Sequence, residues 1–274
     1  MKRHVWYWGL IAPLPLFLAI VYLVPFLGVV RWSVTEPQLG FGNYVRVFTD
    51  PLVLSVLWRT LRVCVLVTLA TTIMAYALSY IWVFASPPIQ RLVEFGVLIP
   101  FWISTLTRAF GWLVLLYNRG LINTGLRDLG LIDFPLTLVR NEFGVVVGMT
   151  HFLVPFAVLP LVSSMRHLDT RVLTAARGMG ASRFHVFRSV LFPMTMPGVV
   201  GAALITLIFS LGFFITPAIL GGGRSVLVAE FIYVQIFQTV DWGIAGAISV
   251  VLMVAVAALI ALFIRLTRVE QMVG

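Results

Sequence analysis

Charge is scarce in this chain. Only 11% of its 274 residues are Asp, Glu, Lys or Arg, while 61% are hydrophobic. A soluble domain carries about 25% charged residues, so the composition excludes that class and points to a membrane protein. Lysine is nearly absent, Lys2 being the only one. A phosphate loop of the form G-x-x-x-x-G-K-[ST] needs a lysine on the phosphates, so this chain cannot supply that ATP site. Cysteine is reduced to Cys64, inside an apolar run. That excludes an internal disulfide and a cysteine-built metal centre, and no metal site is expected. Carboxylates are missing from the interior of the long apolar runs, where a secondary transporter or channel usually holds an ion-coupling group, and no internal repeat is visible. H-E-x-x-H, G-x-S-x-G and paired carboxylates within a span are also missing, which removes the basis for a membrane enzyme. The net charge of +9 fits basic cytoplasmic loops, not nucleic-acid binding.

What the chain does have is long apolar runs. Crossing about 30 Å of hydrocarbon at about 1.5 Å per residue takes about 20 apolar residues. Six runs qualify, near 9–30, 63–84, 93–117, 143–165, 197–220 and 242–264. The expected fold is an all-α integral membrane protein, one transmembrane domain over 1–274 with six helices, because barrel strands are short and alternating. Lys2 and Arg3 precede the first run, which is too long for a signal sequence and lacks an A-x-A-like site, so it is read as a retained span. An even number of spans puts both termini on one side. The basic residues divide ten to eight, and the crowding of Arg166, Arg171, Arg177, Arg183 and Arg188 after the fourth span assigns that side to the cytoplasm.

The loop at 166–196 is too long for a simple connection. Asp169 or Thr170 is placed to cap a first helix, with Leu173, Ala176 and Met179 on one face. Gly178 and Gly180 permit a bend, and Ser182 is placed to cap a second helix with Phe184, Phe187 and Leu191 on one side. Pro193 and Pro197 are expected to end that helix and open the fifth span. Small residues at 175, 176, 178, 180 and 181 would let another protein surface approach, whereas the arginines alone would equally serve anionic lipid. Outside the membrane, residues 118–142 and 224–241 each read as a short amphipathic helix, for surface packing or for a partner.

TAARGMGASRFHVFRSVLFPMTMPG resembles the EAA loop of ABC importer permeases. Ala175, Ala176, Gly180, Val190 and Leu191–Pro193 match that pattern, and the loop precedes the penultimate span as it does in the family. Thr174 stands where the family has an acidic residue. IPFWISTLTRAFGW, NRGLINTGLRDLGLID, HFLVPFAVLPLVSSMRHLD and TVDWGIAGAIS extend the likeness over most of the chain, toward the first-type permease of spermidine/putrescine importers. The resemblance implies a type I importer fold in a bacterial inner membrane. It implies a second permease subunit, alike or different in sequence with a different chain the expected case, two cytoplasmic nucleotide-binding subunits that hold the ATP and Mg, and an extracytoplasmic solute-binding protein. No cofactor is expected on this chain and no catalytic residue. Asp169, Arg171, Leu173, Thr174, Ala175, Ala176, Arg177, Gly178, Met179, Gly180, Ala181, Ser182 and Arg183 would contact an ATPase subunit.

Candidate path residues are Trp102, Thr105, Thr107, Arg108, Thr150 and His151, each also readable as ordinary packing. Arg108 is the sole clear charge within a span and must face protein or water, as a gate, an ion-pair partner or a structural donor. An arginine in the path of a polycation would repel it. Pro155 and Pro160 are expected to bend the fourth span, and Pro217 to end the fifth. Asn118, Asn123, Arg127, Arg224, Glu230 and Asp241 are candidates for contact with the solute-binding protein.

Overall fold

The computed structural model describes residues 12–273, and among them the chain is helical with no strand. The first half carries α1 (Pro13–Thr35), α2 (Gly42–Thr49), α3 (Pro51–Phe84), α4 (Pro87–Trp102), α5 (Thr105–Leu116) and α6 (Leu121–Asp128). The second half carries α7 (Glu142–Arg166), α8 (Thr170–Gly178), α9 (Arg183–Val186), a π-helical turn (Phe187–Leu191), α10 (Phe192–Leu211), α11 (Ile215–Gly221), α12 (Val228–Phe237) and α13 (Trp242–Val273). Residues 9–11 of the first expected span, with Lys2 and Arg3, lie outside the described residues. Among the described residues five helical stretches are long and apolar enough to cross a membrane, and a sixth crossing results if α4 and the segment that follows it count as one broken span.

Three expected spans differ in form. The run at 93–117 is not one helix: Ile103 and Ser104 are extended, and the chain bends by 108° between Trp102 and Thr105. Pro100 lies just before the break, where its missing amide already weakens the helical ladder. The run at 63–84 belongs to a helix that starts earlier, at Pro51. Proline in the first turn forfeits no hydrogen bond, and the Asp50 carboxylate accepts the Leu52 amide at 2.8 Å. The fifth span ends at Leu211, before Pro217, which lies inside the separate short helix α11. The fourth span follows the expectation closely, and α7 stays helical through Pro155 and Pro160.

Contacts group the described residues into two compact units, 12–55 with 231–255 and 56–230 with 256–273. In the first unit, glycine permits close approach between α1 and α13. A Cβ at Gly246 would lie 2.9 Å from the Val29 carbonyl oxygen. Asn43 is buried and donates to the carbonyls of Ser33 at 3.0 Å and Glu36 at 2.6 Å, while Arg46 pairs with Asp241 at 3.0 Å.

In the second unit α7 is the central helix: 61% of its apolar window is buried inside the molecule, against 33% for α3. It packs on α4, α5, α10 and α11. Glycine again sets the distance. A Cβ at Gly198 of α10 would meet Ser164 Cβ at 2.5 Å, and one at Gly148 of α7 would meet Thr216 Cγ2 at 2.8 Å. Glu142, in the first turn of α7, complements the helix dipole. It is held by Arg62 and, at 3.7 Å, by Arg59, neighbours on one face of α3.

Candidate functional site

The loop after α7 is built by local capping. Asp169 is the N-cap of α8, its carboxylate accepting the Arg171 amide at 2.9 Å. The helix ends where Gly180 turns left-handed at φ 83°, its amide donating to the Arg177 carbonyl at 3.0 Å. Ser182 then caps α9 by accepting the His185 amide at 3.2 Å. The helix, glycine bend and second helix expected from the sequence are all present.

The end of the second helix differs from the expectation. It does not stop at Pro193 or Pro197; α9 passes through the π turn straight into α10. The π turn shifts the hydrogen-bond pattern by one residue, the Phe192 amide donating to the Phe187 carbonyl directly before Pro193, which has no amide to donate. At this junction Tyr76 of α3 packs edge-on against Phe187 at 5.9 Å, and its hydroxyl hydrogen-bonds Thr195 Oγ1 at 3.0 Å. The second short helix is therefore a stiff extension of a membrane span.

The buried faces also differ in detail. Leu173 and Ala176 of α8 pack with Val186 and Leu191. Met179 and Phe184, expected to share those faces, are 83% and 70% exposed. Met179 lies beyond the last turn of α8, where the chain has already begun to reverse, and Phe184 follows the capping serine on the outward side of α9. Leu173 and Ala176 are thus spent on seating α8, whereas Arg171, Thr174, Ala175, Arg177, Gly178, Gly180, Ser182 and Arg183 are exposed and Ala181 half-buried. Thr174 donates back to the Thr170 carbonyl at 3.2 Å.

Between α8, α9 with its π turn, and the end of α3 lies a groove of about 230 Å³. Its lining includes Tyr80, Phe84, Thr170, Thr174, Arg177 and Arg183. Sequence reasoning missed the contribution of α3. The signal was present as Tyr76, Tyr80 and Phe84, aromatics four residues apart along one helix face.

The candidate path residues separate into groups. Thr150 and His151 line an apolar cavity of about 470 Å³ between α3, α4, α5 and α7, together with Trp112. Arg108 sits beside it, its guanidinium 4.0 Å from the centre of the Phe152 ring, while Trp112 meets His151 edge-on at 5.6 Å. Arg108 and Trp112 are one turn apart on α5, and His151 and Phe152 adjoin on α7, so one cation–π rung and one ring-on-ring rung join these helices. Arg108 Nε and Nη1, Thr150 Oγ1 and His151 Nδ1 are buried without a hydrogen-bond partner among the described residues. Thr105 is half-buried, while Thr107 and Trp102 are exposed, Trp102 at 86% beside the 108° bend.

The six residues expected to meet a binding protein also separate. Asn118, Arg127 and Arg224 are exposed. Asn123 is not available: it is fully buried, donating to the carbonyls of Tyr117 and Leu136 and accepting the Leu136 amide at 2.7 Å, which pins α6 to the segment after it. Asp241 is occupied by Arg46. Glu230 is half-buried, with Oε2 unpartnered among the described residues, and burial pushes its carboxyl above the ordinary range.

Residues 52–269 match the family described as the inner membrane component of binding-protein-dependent transport systems. The chain is 33% identical over 226 residues to the spermidine/putrescine transport system permease protein PotB of Haemophilus influenzae, covering 82% of this chain and 79% of that one. It is 32% identical over 238 residues to PotB of Escherichia coli K12, covering 86% of each. The inner membrane ABC transporter permease protein YdcU of E. coli K12 is 27% identical over 246 residues, 85% of this chain and 78% of that one. Among solved structures, a chain of the bacterial alginate ABC transporter in complex with its alginate pentasaccharide-bound periplasmic protein aligns with a TM-score of 0.82 at 17% identity, over 97% of this chain and 95% of that one. A chain of the MetNI methionine ABC transporter aligns with a TM-score of 0.59 at 19% identity, over 81% of this chain and 98% of that one.

Proposed function

Because the chain belongs to the family of inner membrane components of binding-protein-dependent transport systems, a family of ABC importer permeases with the type I fold, we propose that it forms a solute path with a second permease of different sequence and is driven by two cytoplasmic ATPase subunits through residues 169–193. The single observation that supports this coupling role most strongly is the seating of α8. One helix is capped at both ends, packed through Leu173 and Ala176 on Val186 and Leu191 with Phe84 at the end of α3 against them, and followed by a helix continuous with α10. Such an element moves as a rigid body, so displacement of α8 by nucleotide-driven closure of the ATPases is passed to the spans. In this reading both termini face the cytoplasm of a bacterial cell, and ATP and Mg are bound by the partner subunits.

Solute is received from an extracytoplasmic binding protein, with Asn118, Arg127 and Arg224 as the exposed contacts. It passes by the Arg108–Phe152 and Trp112–His151 rungs, where aromatic and hydroxyl groups let a solute pass without trapping it. The names of the PotB relatives make spermidine and putrescine the first solutes to test. A second reading is the same importer carrying another small organic solute or ion. Arg108 favours it, because a cation that touches this guanidinium is repelled. The test is to purify the binding protein encoded with this system and titrate it with spermidine, putrescine and neutral or anionic solutes. Micromolar or tighter polyamine binding supports the first reading; binding of a different solute with none for polyamines overturns it in favour of the second.

A further inference from the structure

The exposed surface of the coupling element is predominantly positive, Asp169 being its one exposed acid. From Arg166 to Arg188 the chain carries five arginines and one acid, Asp169. The Asp169 carboxylate is turned onto its own helix as the cap of α8. Arg171, Arg177, Arg183 and Arg188 are exposed and form no ion pair among the described residues. Thr174, where an acid would stand in the resembled pattern, is uncharged and hydrogen-bonds along its own helix. The groove of about 230 Å³ beside it has Arg177 and Arg183 among its lining, with the Thr170 and Thr174 side chains and the Tyr80 and Phe84 rings.

We propose that this groove receives a carboxylate side chain from the ATPase subunit, so that the contact has a polarity opposite to one made by an acidic residue at 174. The inference rests on the importer reading given above. The guanidinium fork matches a carboxylate in two parallel hydrogen bonds, and the Thr170 hydroxyl in the same lining adds a neutral donor, the Thr174 hydroxyl being spent on its own helix. The surface around the groove has the make-up of a protein interface. Met179 and Phe184 stand out beside the arginines, and Met, Phe and Arg are enriched at interface cores. Ala175, Gly178 and Gly180 are exposed between them, and a surface that smooth admits another backbone closely. An anionic lipid headgroup is attracted by the same charges but has no use for that smooth strip.

The experiment uses the whole complex, with this chain, its second permease and its ATPase co-expressed and extracted in an uncharged detergent. ATPase retention is measured for wild type, for Arg177→Glu with Arg183→Glu, for Thr174→Glu, and for the milder pair Arg177→Gln with Arg183→Gln. The yield and melting of the extracted permeases show that each variant is folded. The expected result is about a tenfold or greater loss of retention for the double glutamate, a smaller loss for the glutamine pair, and a several-fold loss for Thr174→Glu. Reversing a carboxylate to lysine on the ATPase docking surface should then restore the double glutamate variant. The proposal is overturned if Thr174→Glu tightens retention or leaves it unchanged. It is also overturned if the arginine variants weaken retention only when phosphatidylglycerol vesicles are present. Retention by every variant as by wild type overturns this inference alone; a wild-type chain that retains no ATPase overturns the importer reading with it.

Discussion

Glu230 shows how a single residue sets a measurable property. It is half-buried, its Oε2 has no partner among the described residues, and burial raises its pKa. The folded state therefore prefers the neutral acid, and ionising it costs stability. That cost is absent below the unfolded carboxyl's ordinary range, grows as pH rises through that range, and is complete above the raised folded value. Glu230→Gln should raise the melting temperature in detergent at neutral pH, and the gain should shrink toward zero as the pH is taken down through about 4. A pH-independent difference would show that the carboxyl's charge is not the cause. Residues of this kind differ in how far they can be read beforehand. Asp169 and Ser182 were legible as caps because each bonds an amide within three residues. Asn123 was not, because its burial depends on Leu136, thirteen residues away and across a turn. The stacking of Arg108 on Phe152 joins two helices and leaves no periodic trace.

Elements were legible in existence and less so in continuity. Hydropathy finds the six runs, since length and apolar content are all that a crossing requires. It does not see that two extended residues, Ile103 and Ser104, break the third run by 108°, because both lie inside an apolar stretch. Nor does it see that the helix passes Pro193 and Pro197, because a π turn is a property of the hydrogen-bond ladder and not of composition. Packing between elements is readable in retrospect at glycine. Gly198 brings α10 onto α7, where a Cβ would meet Ser164 at 2.5 Å and the Ser164 oxygen at 2.8 Å. Gly198→Val should destabilise the detergent-extracted protein by about 1–3 kcal/mol through overpacking. Gly201→Val is the control: nothing lies within 4 Å of a Cβ there, so its melting temperature should move much less. Equal losses at both positions would mean that close approach of α10 to α7 is not what Gly198 provides.

At the scale of the whole molecule, the chain has long apolar helices and, in the proposed reading, a lever driven by partner subunits. With Lys2 as its only lysine, it has no phosphate loop, and it belongs to a family whose systems include a binding protein. The most direct measurement is uptake into vesicles reconstituted with both permeases and the ATPase, with the binding protein and its labelled solute outside and ATP inside. Uptake is expected only when ATP, ATPase and binding protein are all present, and it should fall to background when the permease carries the double glutamate substitution at Arg177 and Arg183. Uptake that proceeds without ATP, driven by an ion gradient across the same vesicles, would contradict an ATP-coupled permease.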